Sequence, residues 1–98
     1  MPAYLVALRK VTDAEKMKRH IAKIVPMLES YGARYLTGTE GHHVLSGLFH
    51  PDRVVIVEFP DMLTLRKWYD SPAYRPLDEL RKECGEEILL AVEGKAAK

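Results

Sequence analysis

Two segments of this chain are aliphatic at every consecutive position, and they constrain the fold more than any other feature. In VVIV (54–57) and ILLAV (88–92), the side chains that point to opposite faces of a strand are equally apolar. Burying each such side chain is worth roughly 1.5–3 kcal/mol, a large share of a typical stability of about 5–15 kcal/mol. Both faces of the sheet should therefore be covered, one by helices and the other by a second copy. The sequence thus predicts a homodimer that forms through its sheets.

Short signals along the chain place the other elements. The sequence predicts strands at 3–11, 33–38, 53–59 and 87–93, and a first helix that follows a capping box of Thr12 and Glu15 and ends at Tyr31-Gly32. A second helix is predicted at 62–70, followed by one turn capped by Ser71 and a restarted helix that stops at Gly85. The order β-α-β-β-α-β predicts an α+β ferredoxin-like fold, with a four-stranded antiparallel sheet and helices on one face. We expect one domain over residues 1–94 and a flexible tail at 95–98.

The composition argues against several classes of partner. The formal net charge is +1 and no basic patch accumulates, so we expect no binding to nucleic acid. No apolar run approaches the ~18 residues of a membrane span, and the first residues lack the order of a secretory signal. Cys84 is the only cysteine, so no intrachain disulfide can form. We therefore expect a cytoplasmic protein that contacts no membrane.

Four stretches together resemble one known family. They are YGARYL (31–36), HPDRVVIVEFP (50–60), WYDSPAY (68–74) and VEG (92–94). They resemble domain-of-unknown-function family 1330 (DUF1330) over almost the whole chain. The resemblance implies the dimeric α/β-barrel superfamily, which includes cofactor-free monooxygenases, haem-degrading enzymes, lactone isomerases and dehydratases. Gly38 stands where the family usually has an arginine, so any ligand contact made by that arginine is not expected here.

The candidate ligand site lies around the end of the second helix. The predicted topology gathers substrate-binding candidates at one end of the sheet: Arg53, Trp68, Tyr69, Ser71 and Tyr74. Trp68 and Tyr74 could sandwich a planar group, and Arg53 or Arg75 could bind a carboxylate through paired hydrogen bonds. The alternative is structural, with Trp68 and one tyrosine in the core and Ser71 acting only as a cap.

Glu58 is the candidate catalytic residue, because it interrupts an aliphatic strand. A buried carboxylate is costly unless it is paired, and desolvation would favour its protonated form and suit it to proton transfer. Antiparallel pairing places Glu58 near Tyr4 and Arg34 at the opposite end of the sheet from Trp68. Arg34 is a further substrate-binding candidate. The alternative is an ion pair between Glu58 and Arg34 across neighbouring strands, or a solvated strand end.

The remaining reactive side chains suggest little chemistry. His42 and His43 are adjacent and His20 is expected on the wet face of the first helix, so no metal-ligand spacing appears and no metal or cofactor is predicted. A histidine base at His42 or His43 remains an alternative. The charged run RKECGEE (81–87) is interpreted as a solvated helix face, with Cys84 buried.

Two functions are consistent with these observations. The first is a small dimeric protein that binds a small, partly apolar organic acid or ketone in an aromatic-lined pocket, and that could act as a cofactor-independent enzyme by proton transfer or oxygenation. The second is a non-catalytic ligand-binding or structural oligomeric protein. The sequence leaves open whether the chain is an enzyme.

Overall fold

The computed structural model describes residues 1–37 and 41–95. Its elements are β1 (Ala3–Val11), α1 (Ala14–Ser30), β2 (Arg34–Tyr35), β3 (Arg53–Phe59), α2 (Met62–Tyr69), α3 (Arg75–Cys84) and β4 (Gly85–Glu93). Gly38, the position at which the sequence departs from the family it resembles, and residues 96–98 of the predicted tail lie outside the described residues. The bounds of β1 and β3 agree with the prediction.

The sheet has the strand order β2-β3-β1-β4, and every neighbouring pair is antiparallel. In the central register, Leu5 of β1 lies opposite Val57 of β3 and Ala91 of β4. The three helices pack on one face of the sheet, and burial along β1 therefore alternates from one residue to the next. This arrangement confirms the predicted α+β ferredoxin-like fold.

The N-cap of helix α1 lies one residue later than predicted. Asp13, and not Thr12, is the N-cap, and its Oδ1 accepts a hydrogen bond of 3.0 Å from the amide of Lys16. The Thr12 hydroxyl instead donates to the carbonyl of Cys84 at 3.2 Å, which ties the start of α1 to the end of α3. An aspartate one position inside the predicted box offers the stronger acceptor, so the helix starts there.

The second helical segment is split as predicted, but Ser71 has a different role. Its hydroxyl donates to the carbonyl of Trp68 at 2.7 Å and so closes the end of α2. A turn follows, in which the amide of Tyr74 bonds the carbonyl of Ser71 at 3.2 Å. Helix α3 then begins with Pro76 in its first turn, where a missing N–H costs little.

Strands β2 and β4 differ in length from the prediction. Strand β2 is two residues long, because the amide of Ile56 bonds the hydroxyl of Thr37 at 3.0 Å and not a backbone carbonyl. Strand β4 starts two residues earlier than predicted. Gly85 both ends α3 and pairs with Val11, at a positive φ of 152° that favours glycine.

The two faces of the sheet differ sharply in exposure. On the helix side, Ala3, Leu5 and Ala7 of β1 are buried together with the inward residues of β3. On the other side, called here the outer face, Ile56 of β3, Val6 of β1 and Leu90 of β4 lie side by side in one row across the sheet. Leu90 is 48% exposed. The predicted apolar character of both faces is thus confirmed for the single chain. None of the described helices has both the length and the apolar character that a bilayer crossing needs.

Candidate functional site

A groove runs along the helix side of the sheet between α1 and strands β1, β2 and β3. Its volume is about 290 Å³, at the lower limit of typical small-molecule sites. The groove, called here the α1 groove, is lined by Arg9, Ile21, Val25, Tyr35, Arg53 and Val55. Three of these six residues are aliphatic, and the other three contribute two guanidinium groups and one phenol as polar contacts.

Arg53 supplies the groove with a cation that has no ion-pair partner among the described residues. Antiparallel pairing sets it directly opposite Arg9, so both side chains leave the sheet on the helix side. Within residues 1–37 and 41–95, Arg53 forms no ion pair, whereas Arg9 pairs with Glu87. Arg53 is half-buried, so its charge is held close to the apolar walls.

A smaller cavity, called here the inner chamber, lies deeper between the sheet and the helices. Its volume is about 20 Å³, enough for a single water-sized group. Arg9, Tyr35 and Val55 line both the chamber and the α1 groove, so the two spaces are adjacent. The chamber's other polar lining residues are His20, Trp68, Tyr74 and Arg81.

A buried cluster of charges lies behind the chamber. Because two members of the run RKECGEE belong to it, the interpretation of this run as a solvated helix face is wrong for those two residues. The side chains of Arg81 and Glu87 are only 12% and 3% exposed, and Arg81 Nη1 lies 3.0 Å from Glu87 Oε1. Glu87 also pairs with Arg9, while Arg81 Nε donates to Asp78 Oδ1 at 3.1 Å. Each buried charge thus has a partner, as the cost of desolvation requires. Lys82, Glu83 and Glu86 of the same run are exposed, as predicted.

The pairing sets the charge states of the cluster. Burial alone would raise the pKa of the Asp78 carboxyl, but the hydrogen bonds and charge of Arg81 leave that pKa below its usual value. Burial opposes the charge of Arg81, yet Asp78 and Glu87 raise the pKa of its guanidinium. Burial also raises the pKa of Tyr74, whose hydroxyl donates to Asp78 at 3.3 Å, to about 12. The buried cluster therefore contains two cations, Arg9 of β1 and Arg81 of α3, and two anions, Asp78 of α3 and Glu87 of β4.

His20 is buried and not on the wet face predicted for it. It is 1% exposed, and neither ring nitrogen has a hydrogen-bond partner among the described residues. Burial, and then the charges of Arg9 and Arg81, lower its pKa to about 4, so the ring is neutral at pH 7. The position could have been found from spacing, because His20 falls three residues after Met17 and four before Ile24 on the buried stripe of α1.

The predicted aromatic residues form one packed group. The ring centroids of Trp68 and Tyr74 are 4.4 Å apart, and Tyr69 lies 5.4 Å from Tyr74. Trp68 and Tyr74 are each 1% exposed, and rings at this spacing contact each other, with no room for a planar group between them. Arg75 stacks on Tyr69 and donates to its carbonyl, so this arginine is already engaged.

Glu58 and Arg34 lie on the outer face, away from the α1 groove. Arg34 Nε donates to Glu58 Oε1 at 2.7 Å, and the hydroxyl of Tyr4 lies 3.5 Å from the same carboxylate. This ion pair across β2 and β3 is the structural alternative expected from the sequence. A catalytic role for Glu58 and a substrate contact for Arg34 stay predictions.

The other histidines and Cys84 complete the reactive side chains. His42 Nε2 lies 2.6 Å from the carbonyl of Pro51, which holds the loop before β3. Burial raises the pKa of the Cys84 thiol, which favours the unreactive form. In the part of the chain that the structure describes, no three His, Cys, Asp or Glu side chains are grouped to hold a metal ion.

The strand order and the one-sided helices define an α+β protein of ferredoxin-like topology, with a groove between its helices and its sheet. A solved protein of unknown function from Rhodopseudomonas palustris, RPA0582, has this fold with a TM-score of 0.79 and 18% sequence identity. The match covers 98% of this chain and 84% of that one. A methylated form of RPA0582 matches with the same TM-score, 19% identity and coverage of 97% and 82%. At these identities the likeness shows the fold alone.

The sequence also matches a family model described as "Domain of unknown function (DUF1330)" over residues 2–95. The chain belongs to this family, which confirms the resemblance drawn from its motifs. No curated protein sequence matches the chain.

Proposed function

We propose that this protein binds a small, partly apolar organic acid in the α1 groove. The observation that carries the proposal is a guanidinium group without a carboxylate partner. Arg9 pairs with Glu87, and Arg81 pairs with Asp78 and Glu87, whereas Arg53, which lines the groove, has no ion-pair partner among the described residues. A ligand carboxylate would supply that partner.

The walls of the groove support the apolar part of the ligand. Ile21 and Val25 of α1 are half-buried and face Val55 of β3 across the groove. Covering these side chains with the hydrocarbon part of a ligand would be favourable at roughly 25 cal/mol per Å² of apolar surface. The volume of about 290 Å³ suits a short chain or a single ring.

A cofactor-independent proton transfer is the second candidate, and His20 favours it over Glu58. His20 is neutral and lines the chamber next to the groove, whereas Glu58 is engaged by Arg34 on the other face. Exchange of the C–H protons of a bound acid into heavy water, followed by NMR, tests this candidate. Exchange in the native protein that is lost in His20→Leu supports it, and the absence of exchange at saturating ligand leaves binding alone as the function.

The proposal includes a homodimer formed through the outer face. Three rows of residues cross this face, and eight of their nine members are apolar or aromatic: Tyr4, Glu58 and Val92; Val6, Ile56 and Leu90; Leu8, Val54 and Ile88. Ile88, Leu90 and Val92 are 40%, 48% and 45% exposed in the single chain. Contiguous apolar patches of this kind mark protein–protein interfaces. A second copy offers the same patch and would cover the first.

Isothermal titration calorimetry with a panel of short carboxylic acids tests the binding proposal. Arg53→Gln should weaken binding roughly tenfold or more, because it removes the charged partner of the ligand carboxylate. Arg66→Gln is the matched control, since Arg66 is an exposed arginine of α2 and does not line the groove. Equal affinities for the two variants, or no acid bound by the native protein, would refute the proposal.

A further inference from the structure

Two side chains that line the inner chamber have polar atoms that no described group of the chain satisfies. Both ring nitrogens of His20 and Nε1 of Trp68 are buried without a hydrogen-bond partner among the described residues. Both side chains are 1% exposed, and both line the same chamber. Leaving a buried donor or acceptor unpaired costs about 1–3 kcal/mol, so these atoms favour a partner from outside the chain.

The size and chemistry of the chamber limit what that partner can be. A volume of about 20 Å³ admits one oxygen-sized group and no more. A neutral imidazole offers one donor and one acceptor, and the indole of Trp68 offers a donor. A hydroxyl group can accept from the indole and donate to the imidazole, and a carbonyl oxygen can accept from both rings.

The chamber adjoins the groove in which the acid is proposed to bind. Arg9, Tyr35 and Val55 form the wall that the two spaces share. Of these three residues, Tyr35 lies on the short edge strand β2 and is 36% exposed. A ligand held at Arg53 is therefore next to the chamber.

We propose that the inner chamber binds a second oxygen of the ligand, through His20 and Trp68, so that the protein selects hydroxy or oxo acids over unsubstituted acids. This inference rests on the proposed function, because the acid must first occupy the α1 groove. A site built to bond a ligand oxygen discriminates strongly against an analogue that lacks it, since its own polar atoms are then left unpaired. Burial, and then the charges of Arg9 and Arg81, keep the imidazole neutral against the opposing charge of Asp78, which preserves its acceptor nitrogen.

Calorimetric titration with a matched series of acids tests this inference. The series contains one short unsubstituted acid and the same acid with a hydroxyl or an oxo group at each carbon in turn. The native protein should bind at least one substituted acid roughly tenfold or more tightly than the parent acid. In His20→Leu and Trp68→Phe this ratio should fall towards one. His43→Leu is the control for an exposed histidine and should keep the native ratio.

Each outcome of this experiment decides the question. If the native protein binds the parent acid and its substituted forms equally, the chamber takes no ligand oxygen and the inference is wrong, although the proposed function survives. If no acid binds, the proposed function itself fails. Should both core variants fail to fold, the native ratio and a crystal structure with the preferred acid decide instead. A ligand oxygen between His20 and Trp68 supports the inference, and a water molecule there beside a bound acid contradicts it.

Discussion

Arg9 and Glu87 lie opposite each other in the register of β1 and β4, and their side chains form an ion pair beneath helix α1. Both side chains are almost fully buried, at 9% and 3% exposure. Glu87 also faces Arg81, so one carboxylate joins two strands and a helix. This pair fixes the position of the arginine that lines both the groove and the chamber.

Removing Glu87 should be the most damaging change in this cluster. Glu87→Ala leaves Arg9 without a carboxylate and deprives Arg81 of one of two, so the free energy of unfolding should fall by about 3–5 kcal/mol. Glu83→Ala breaks the exposed pair with Lys16 and should cost less than about 1 kcal/mol. Urea denaturation of both variants measures the difference. Equal, small losses would show that the buried pair is not structurally important.

His20 should make the stability of the fold dependent on pH. Burial and the charges of Arg9 and Arg81 lower its pKa from the usual 6.5 to about 4. Between these values the unfolded chain binds a proton at this histidine and the folded chain does not. The free energy of unfolding is therefore highest above pH 6.5 and falls as the pH is lowered towards 4, by roughly 2–3 kcal/mol from this group.

Urea denaturation across that pH range, with His20→Leu beside the native protein, measures this dependence. The variant should lose most of the decline, whereas His43→Leu should retain it. Asp78 of α3 also faces His20, but its lowered pKa places its own contribution at more acidic pH. An unchanged slope in His20→Leu would mean that His20 is not the group responsible.

The apolar outer face should hold the dimer together. Leu90→Asp places a carboxylate in the central row of that face and should produce a monomer or a poorly folded chain. Leu63→Asp introduces the same change on α2, where the residue is 65% exposed, and should leave the dimer intact. Size-exclusion chromatography with light scattering distinguishes the two. A native protein that is monomeric at micromolar concentration would overturn the dimer proposal.

Gly85 should tolerate no side chain. A Cβ at this residue would lie 1.9 Å from the carbonyl oxygen of Lys10, at a φ of 152° that L residues rarely adopt. Gly85→Ala should therefore destabilise the fold by roughly 2 kcal/mol or more, because the junction of α3 and β4 must shift. Gly47→Ala shares a positive φ but meets nothing within 4 Å, so the difference between the two melting temperatures isolates the contact. Similar melting temperatures would show that β4 relaxes without cost.

The architecture was predictable because its signals are local. Aliphatic runs bounded by turn residues gave the limits of β1 and β3 correctly, and the order of elements gave the topology. Strand β2 was predicted too long, because the hydroxyl of Thr37 replaces a backbone partner, and such competition is invisible in a strand pattern.

The candidate site was less predictable because it depends on register. Glu87 lies two residues before Leu89, and Arg9 lies two residues after Ala7, so each shares a face with a buried or half-buried apolar neighbour. Each could therefore have been assigned to the inner face from its own strand. That the two meet requires the pairing of β1 with β4, which no local signal specifies. His20 lies at a buried helical position, but a histidine there was interpreted as a surface residue. Glu58 was chosen for its place in an aliphatic strand, yet the strand's alternation directs it to the outer face.

The most direct test of the central claim compares the binding of a short carboxylic acid with that of its uncharged amide, measured by calorimetry on the native protein. The two ligands share their shape and apolar part, so the comparison isolates the charge that Arg53 is proposed to neutralise. We expect the acid to bind at least about tenfold more tightly than the amide, with an affinity that falls as salt is added. Equal affinities for the two ligands, or no detectable binding of either, would contradict the account.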